Sequence, residues 1–256
     1  DLKHMQSLLD EDVLLVSVML VNNETGTIQP IQKVCEIGHS VGAVVHSDAA
    51  QALGKIPVDV KDLGVDLMSM SAHKMGGPRG VGALYVKAGP SNFPISPIML
   101  GGGQEAELRP GTLNTPGIVG FSEACKVASA TPSERWGAIE SLRDRIEGDL
   151  SDSIPGLRVN CLGSPRVPGG SSFSIPGVDA EMLVANLEKV VMSTGSACKS
   201  GAPSPSHVLE AIGLSREDSY CTLRFCLGVE VLDRAGDPAE IVVSDVLDAV
   251  KRISLG

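Results

Sequence analysis

Apolar positions along the chain follow two rhythms. The run DVLLVSVMLV, Asp12 to Val21, is apolar almost without a break. Residues 13–21 are predicted as a buried strand ending in the polar turn NNETG, since the run falls well short of the ~20 residues a membrane helix needs. From Pro30 the segment PIQKVCEIGHSVG takes helical spacing, with proline in its first turn and Gly42 after its last. The strand AVVHSD, the loop AAQALGK, a strand around VDLMSMS and a hairpin-like GVGALYVK follow. Strands alternating with helices predict an α/β fold on a mostly parallel sheet covered on both faces.

After residues 87–117, rich in glycine and proline, the pattern changes. Helices are predicted from about Pro116 and Ser133, then short strands near Leu157–Asn160 and Ser171–Ile175. Helix DAEMLVANLEK, strand KVVMST, helix PSHVLEAIG, strand TLRFCLG and a closing helix from Pro238 complete the chain. This half is expected to be a smaller C-terminal α+β domain. The break at ATPS places a partial large domain over 1–132 and the small domain over 133–256.

With 256 residues and 43% hydrophobic content, the chain is long enough to bury roughly 70 to 75% of its unfolded surface. Its net charge of -10, without a basic cluster, argues against nucleic acid and membrane as partners. Seven aromatics (one Trp, two Tyr, four Phe) against 29 glycines leave aliphatic packing and backbone turns to organise the core. Six cysteines lack CxxC spacing and scaffold density, which fits a reducing compartment and predicts no metal site. Five of the six are expected to be buried small hydrophobes. The chain opens at Asp1 with neither methionine nor a leader, so it reads as amino-terminally truncated.

In parallel sheets, ligands gather at the carboxyl ends of the strands. Three polar endings are expected to face one crevice there: Asn22 and Asn23, Ser47 and Asp48, and Ser71, His73 and Lys74. A lysine ammonium at the end of a buried strand is costly to bury unless its charge or amine is used. An aldehyde cofactor such as pyridoxal phosphate needs a lysine amine to hold it and a carboxylate to keep its pyridine nitrogen protonated. Lys74 and Asp48 supply that pair; they read equally well as a solvated lysine and a helix-capping aspartate.

Five ordered blocks bear on that choice: VNNETG, HSDAAQALGK, SAHKMGGPRGVGALYV, GGGQEAELRPGTLNTP and STGSACKSGAPSPSHVL. Together they resemble the cysteine desulfurase and selenocysteine lyase family, a branch of the class V aminotransferases with the fold type I architecture of pyridoxal phosphate enzymes. The resemblance covers nearly the whole chain. It implies pyridoxal 5'-phosphate as cofactor, held covalently by Lys74, with Asp48 at the pyridine nitrogen and Gln51 at the phenolic oxygen. By the same resemblance Asn23 would lie near ring and substrate and Ser71 and His73 would hold the phosphate; on the residues alone, Ser71 also reads as a hydroxyl satisfying local backbone and His73 as a hydrogen-bonded interior histidine. Thr112 matches a threonine that would reach the phosphate of a neighbouring subunit, which implies a homodimer; on the residues alone it also reads as a turn hydroxyl satisfying local backbone. Arg224 grips the substrate carboxylate, a task that suits a planar guanidinium; alternation sets it on the face opposite Leu223 and Phe225.

The same resemblance makes Cys198 the nucleophile. Its surroundings are small residues, glycines and prolines, a composition suited to a loop that carries a thiol to a substrate; neighbouring Lys199 would favour the thiolate. The implied reaction takes L-cysteine, removes its α-proton with Lys74 or a histidine outside the chain, and passes its sulfur to Cys198 as a persulfide, leaving alanine. Selenocysteine lyase acting on L-selenocysteine is the close alternative; a plain class V aminotransferase and a noncatalytic homologue are others. An iron-sulfur scaffold or another sulfur acceptor, and a cytoplasmic or mitochondrial location, are implied by the family.

Overall fold

The computed structural model describes residues 1–87, 95–195 and 206–254. The chain divides into two compact units, one made of Asp1–Val21 and Gln29–Thr131, the other of Asn22–Ile28 and Pro132–Gly256. The short excursion 22–28 thus packs with the carboxyl-terminal half, which sequence order alone does not suggest.

The first unit opens with a helix absent from the predicted elements, α1 (Leu2–Leu8), capped by the Asp1 carboxylate. Strand β1 (Leu15–Met19), helix α2 (Ile31–Ser40), strand β2 (Val44–Asp48), the one-turn helix α3 (Val60–Leu63), strand β3 (Leu67–Ser71) and strand β4 (Gly82–Val86) follow. Helix α4 (Thr115–Ala130) ends the unit. The sheet runs β1-β2-β3-β4, parallel across the first three strands and antiparallel at the last pair, as the hairpin-like GVGALYVK predicts. Helix α2 forms because Ile31, Val34, Cys35 and Gly38 recur on one buried face. Gly38 is needed there: a Cβ would lie 2.7 Å from Val45 Cγ2, so any side chain would push helix and strand apart.

Strand alternation buries Val16, Val45, Ser47 and Met68 on the side that faces away from Leu15, Ser17, Met19, His46, Asp48 and Leu84. The expectation of a sheet covered on both faces is therefore corrected. Leu15 is 52% exposed and Leu84 51% exposed, so among the described residues this second face carries little cover. An open apolar sheet face binds hydrophobic probes. The 256-residue chain is expected to enhance anilinonaphthalene sulfonate fluorescence in its native state, and Leu15→Ser with Leu84→Ser to reduce the signal.

The second unit is built on an antiparallel sheet in the order β5-β6-β8-β7. Its strands are β5 (Arg158–Val159), β6 (Gly170–Ser174), β7 (Ser193–Thr194) and β8 (Thr222–Cys226). Helices α5 (Ser133–Ser153), α6 (Ala180–Asn186), α7 (His207–Ala211), α8 (Arg216–Tyr220) and α9 (Pro238–Ser254) complete it. The core joins Ile146 and Leu150 of α5, Phe173 of β6, Leu183 of α6, Leu223 of β8 and Val246 of α9. Each such large apolar side chain contributes about 1.5–3 kcal/mol on burial. Strand KVVMST shortens to two residues and the helix predicted through Lys189 stops at Asn186, because residues 187–192 turn around a single carboxylate.

That carboxylate is Asp245 of α9. It is 2% exposed and accepts hydrogen bonds from the backbone N–H groups of Glu188, Lys189 and Val190 at 2.8–3.1 Å. Burial pushes its pKa up, but the amides outweigh burial and hold it below the ordinary 3.8. A depressed carboxyl contributes stability above its unfolded-state pKa and loses it as pH falls through the lower folded value. Asp245→Ala is expected to cost about 2–3 kcal/mol at pH 7 in urea unfolding, and the gap to the parent should narrow as pH drops below about 4.

Candidate active site

In the first unit, the parallel strands end together. Met19 pairs with Asp48 and Asp48 with Ser69 across β1, β2 and β3. The backbone around Asp48 is tied from both sides: its C=O accepts from Leu20 N–H at 2.8 Å, and Ala49 N–H donates to Ser69 C=O at 2.9 Å. Asp48 itself is exposed, with Oδ1 accepting from Ala50 N–H at 2.8 Å. Ser47, one residue earlier, is fully buried on the opposite face, so it leaves the group of crevice-facing residues; strand alternation admits only one of the two.

Strand β3 runs into a tight turn, Ala72–Met75, closed by Gly76 at φ +84. Gly77 follows, where a Cβ would lie 3.0 Å from Ala72 O and 3.2 Å from Ala124 Cβ of α4. That packing fixes the turn bearing His73 and Lys74. Ser71 Oγ and His73 Nδ1 are 2.9 Å apart. Lys74 is exposed, and among the described residues its ammonium takes no hydrogen bond or ion pair. The burial cost expected of it does not arise, because the turn lifts it clear of the strand. Gln51 is half-buried, and its Oε1 accepts from Lys55 Nζ at 2.9 Å. This leaves the amide NH2 as a donor, a role for Lys55 that the sequence did not disclose although both residues stand in HSDAAQALGK. Thr112 is exposed in a loop where Arg109 Nη1 donates to the carbonyls of Pro110, Gly111 and Thr112.

The second unit brings Asn23 and Arg224 together. Arg224 lies half-buried on β8 between Leu223 and Phe225, both core residues. Its Nη1 donates to Asn23 C=O at 2.6 Å and its Nε to Thr194 C=O at 3.4 Å, and Nη2 takes no partner among the described residues. Asn22 Oδ1 accepts from the N–H groups of Glu24 and Thr25 and closes its own turn. Cys198 lies outside the described residues.

The remaining thiols correct the expectation of five buried cysteines. Cys35 and Cys221 are buried, Cys161 is partly so, and Cys125 and Cys226 are exposed. Burial pushes Cys35 up to about 11, with Asp66 adding to it. Cys35 is expected to resist iodoacetamide at pH 8 while Cys125 and Cys226 react, as read by peptide mass mapping. Among the described residues no group of histidine, cysteine and carboxylate side chains is placed to hold a metal ion.

An α/β unit that presents an exposed amine, a fixed carboxylate and a hydroxyl–imidazole pair at the ends of parallel strands has the fold type I architecture of pyridoxal phosphate enzymes. Residues 1–232 match the aminotransferase class-V family model, and the chain belongs to that family. It is 43% identical over 228 residues to the cysteine desulfurase IscS of Anaeromyxobacter sp. (strain Fw109-5), covering 89% of this chain and 56% of that protein. It is 41% identical over 252 residues to the mitochondrial cysteine desulfurase of Arabidopsis thaliana, covering 96% and 54%. The crystal structure of a NifS-like protein from Rickettsia africae ESF-5 superposes with a TM-score of 0.82 at 30% identity, over 100% of this chain and 67% of that one. The chain spans 54–62% of the length of the curated relatives it matches. None of the described helices is long and apolar enough to cross a membrane.

Proposed function

We propose that the protein is a pyridoxal phosphate-dependent cysteine desulfurase. The observation that carries this reading is that the carboxyl ends of the parallel strands present both a Lys74 ammonium that takes no partner among the described residues and an exposed Asp48 carboxylate. The donor set fits the cofactor. Lys74 offers the amine for its aldehyde and Asp48 an acceptor for a protonated pyridine nitrogen. Gln51, with Oε1 occupied by Lys55, offers N–H donors to a phenolate oxygen, and Ser71 and His73 offer donors to a phosphate. Bound there, the cofactor supplies an electron sink for the bonds to the substrate α-carbon.

The chain's own residues supply the rest. Arg224 already spends Nη1 and Nε on backbone carbonyls, which orients its remaining edge toward a substrate carboxylate. Asn23 stands beside it, and Lys74 is the base for the α-proton. Cys198 attacks the substrate sulfur as thiolate: an S–S bond forms, the Cβ–S bond breaks with its electron pair left on carbon, and protonation of that carbon together with return of a proton to the α-carbon yields alanine. The exposed Thr112 serves the phosphate site of a second subunit, so the active form is a homodimer. The persulfide then passes to an acceptor such as an iron-sulfur scaffold protein. The names of the relatives support L-cysteine as the substrate.

The test is turnover of L-cysteine by the protein supplied with pyridoxal phosphate. Alanine should accumulate, and a 32-Da adduct should appear on the Cys198 peptide. Cys198→Ser should lose the adduct while retaining the cofactor's visible absorbance. Unchanged sulfur release from that variant, formation of an α-keto acid in place of alanine, or turnover of L-selenocysteine alone would overturn the reading.

A further inference from the structure

Within the second unit, the peptide group joining Asn23 to Glu24 is held at both ends. Its C=O accepts from Arg224 Nη1 at 2.6 Å, and its N–H donates to Asn22 Oδ1 at 2.9 Å. A peptide group is planar, so its carbonyl cannot turn without carrying the N–H with it. The Asn22 side chain therefore sets the direction in which Arg224 finds its acceptor. Donation from the N–H also polarises the group and strengthens its carbonyl toward a guanidinium. That carbonyl is the main restraint on Arg224, because the second bond, Nε to Thr194 C=O, is 3.4 Å long, well beyond the usual ~2.9 Å. Asn22 Oδ1 also accepts from Thr25 N–H at 2.9 Å and Thr25 Oγ1 at 3.2 Å. Glu24 and Thr25 are buried, so their N–H groups have little water to turn to if Oδ1 is removed. The flanks of the turn are anchored separately: Glu24 Oε2 accepts from Ser206 Oγ at 2.5 Å, and Val167 N–H donates to Gly26 C=O at 2.9 Å. Loss of Oδ1 thus frees one peptide group while its surroundings stay in place.

We infer that Asn22 is a positioning residue for substrate binding: its Oδ1 locks the Asn23–Glu24 peptide group, whose carbonyl holds the Arg224 guanidinium in the orientation that receives a substrate carboxylate. The inference rests on the reading of Arg224 as the substrate's anchor. A guanidinium already held on one edge loses less freedom when its remaining edge takes a carboxylate. This gain is the same before and during the chemical step, so it acts on KM and leaves kcat nearly unchanged.

The test compares Asn22→Ala, Asn22→Asp and Arg224→Ala in the protein supplied with pyridoxal phosphate. Asn22→Ala is expected to raise KM for L-cysteine about tenfold with kcat within about twofold of the parent. The inhibition constant of L-alanine should rise by the same factor, while that of ethylamine, which is alanine without its carboxylate, should not move. Asn22→Asp, whose carboxylate oxygen still accepts from both N–H groups, should recover most of the affinity. In the Arg224→Ala background, Asn22→Ala should add nothing further. Exchange of the Arg224 Nε–H, followed by nitrogen-15 NMR with and without cofactor and assigned by its absence in Arg224→Ala, should speed up in Asn22→Ala and not in Asn22→Asp. Should Asn22→Ala fail to melt cooperatively, Asn22→Ser, which keeps one acceptor on a shorter arm, carries the same comparison with a smaller rise. Parental KM in Asn22→Ala and Asn22→Ser, an equal loss in Asn22→Asp, equal weakening of L-alanine and ethylamine, or unchanged Nε–H exchange would overturn the inference. Parental KM in Arg224→Ala would instead overturn the assignment of Arg224 as anchor, while Nε–H exchange still reports whether Asn22 orients the guanidinium.

Discussion

Lys74→Ala is expected to abolish covalent capture of pyridoxal phosphate: borohydride treatment should fix no cofactor to the variant, whereas in the parent it should fix it to the Lys74 peptide. Sulfur release should fall by at least about a thousandfold, as expected when the group that both holds the cofactor and moves the proton is removed. The fold should be unaffected. Lys74 is exposed and touches no partner among the described residues, and the turn that presents it is held by Gly76, Gly77 and the contact with Ala124, none of which uses the lysine side chain. Its melting temperature should therefore match the parent's, since surface changes of this type usually lie within about 0.5 kcal/mol. Lys74→Arg should behave like the alanine variant, because arginine keeps the charge and loses the nucleophilic amine. Cofactor fixed to the chain in Lys74→Ala would show that another amine does the work and would remove the basis of the proposed function.

The largest stability effect is expected from Glu147→Ala. Glu147 on α5 and Arg166 form a two-bond pair, Nη1 to Oε1 at 2.6 Å and Nη2 to Oε2 at 2.9 Å, with side chains only 6% and 4% exposed. The Glu147 hydrogen bonds hold the guanidinium above its already high ordinary pKa, against the opposing effect of burial, so Arg166 cannot escape by losing its proton. Beside it, Arg143 is also buried, donating to Val167 C=O at 3.0 Å and to Asp144 at 2.6 Å. Removing Glu147 strands the Arg166 charge next to a second guanidinium. The expected loss is about 3–5 kcal/mol in urea unfolding, or about 10 °C in melting temperature. Glu147→Ala with Arg166→Ala should be less destabilised than the sum of the singles, because the double variant leaves no buried charge unpaired. Equal effects from Glu147→Ala and an exposed control such as Glu123→Ala would show that the pair contributes nothing.

Residues close together in sequence carried much of this in advance. Asp48 and Gln51 share one strand end and its following turn, and Ser71, His73 and Lys74 share another. Once the apolar runs are read as parallel strands, their placement at the carboxyl edge follows from alternation. Ser47 shows the limit of reading a polar pair as a unit, since only one of two adjacent strand residues can face a given side. Helix α1 lacks apolar periodicity and has no buried residue, so the pattern search passed over it; its Asp1 cap was the only signal.

The sequence by itself determined the α/β order of the first unit, the α+β make-up of the second and the candidate amine, carboxylate and guanidinium, because hydrophobic period and turn chemistry are local properties. Tertiary structure alone decided that residues 22–28 join the carboxyl-terminal half, that Glu24 meets Ser206, that Glu147 meets Arg166 and that Asp245 gathers three amides. Each of these pairs a buried charge or carboxylate with groups 19 to 182 positions away. No local pattern encodes such contacts: a charge tolerates burial only where the folded chain delivers its partner.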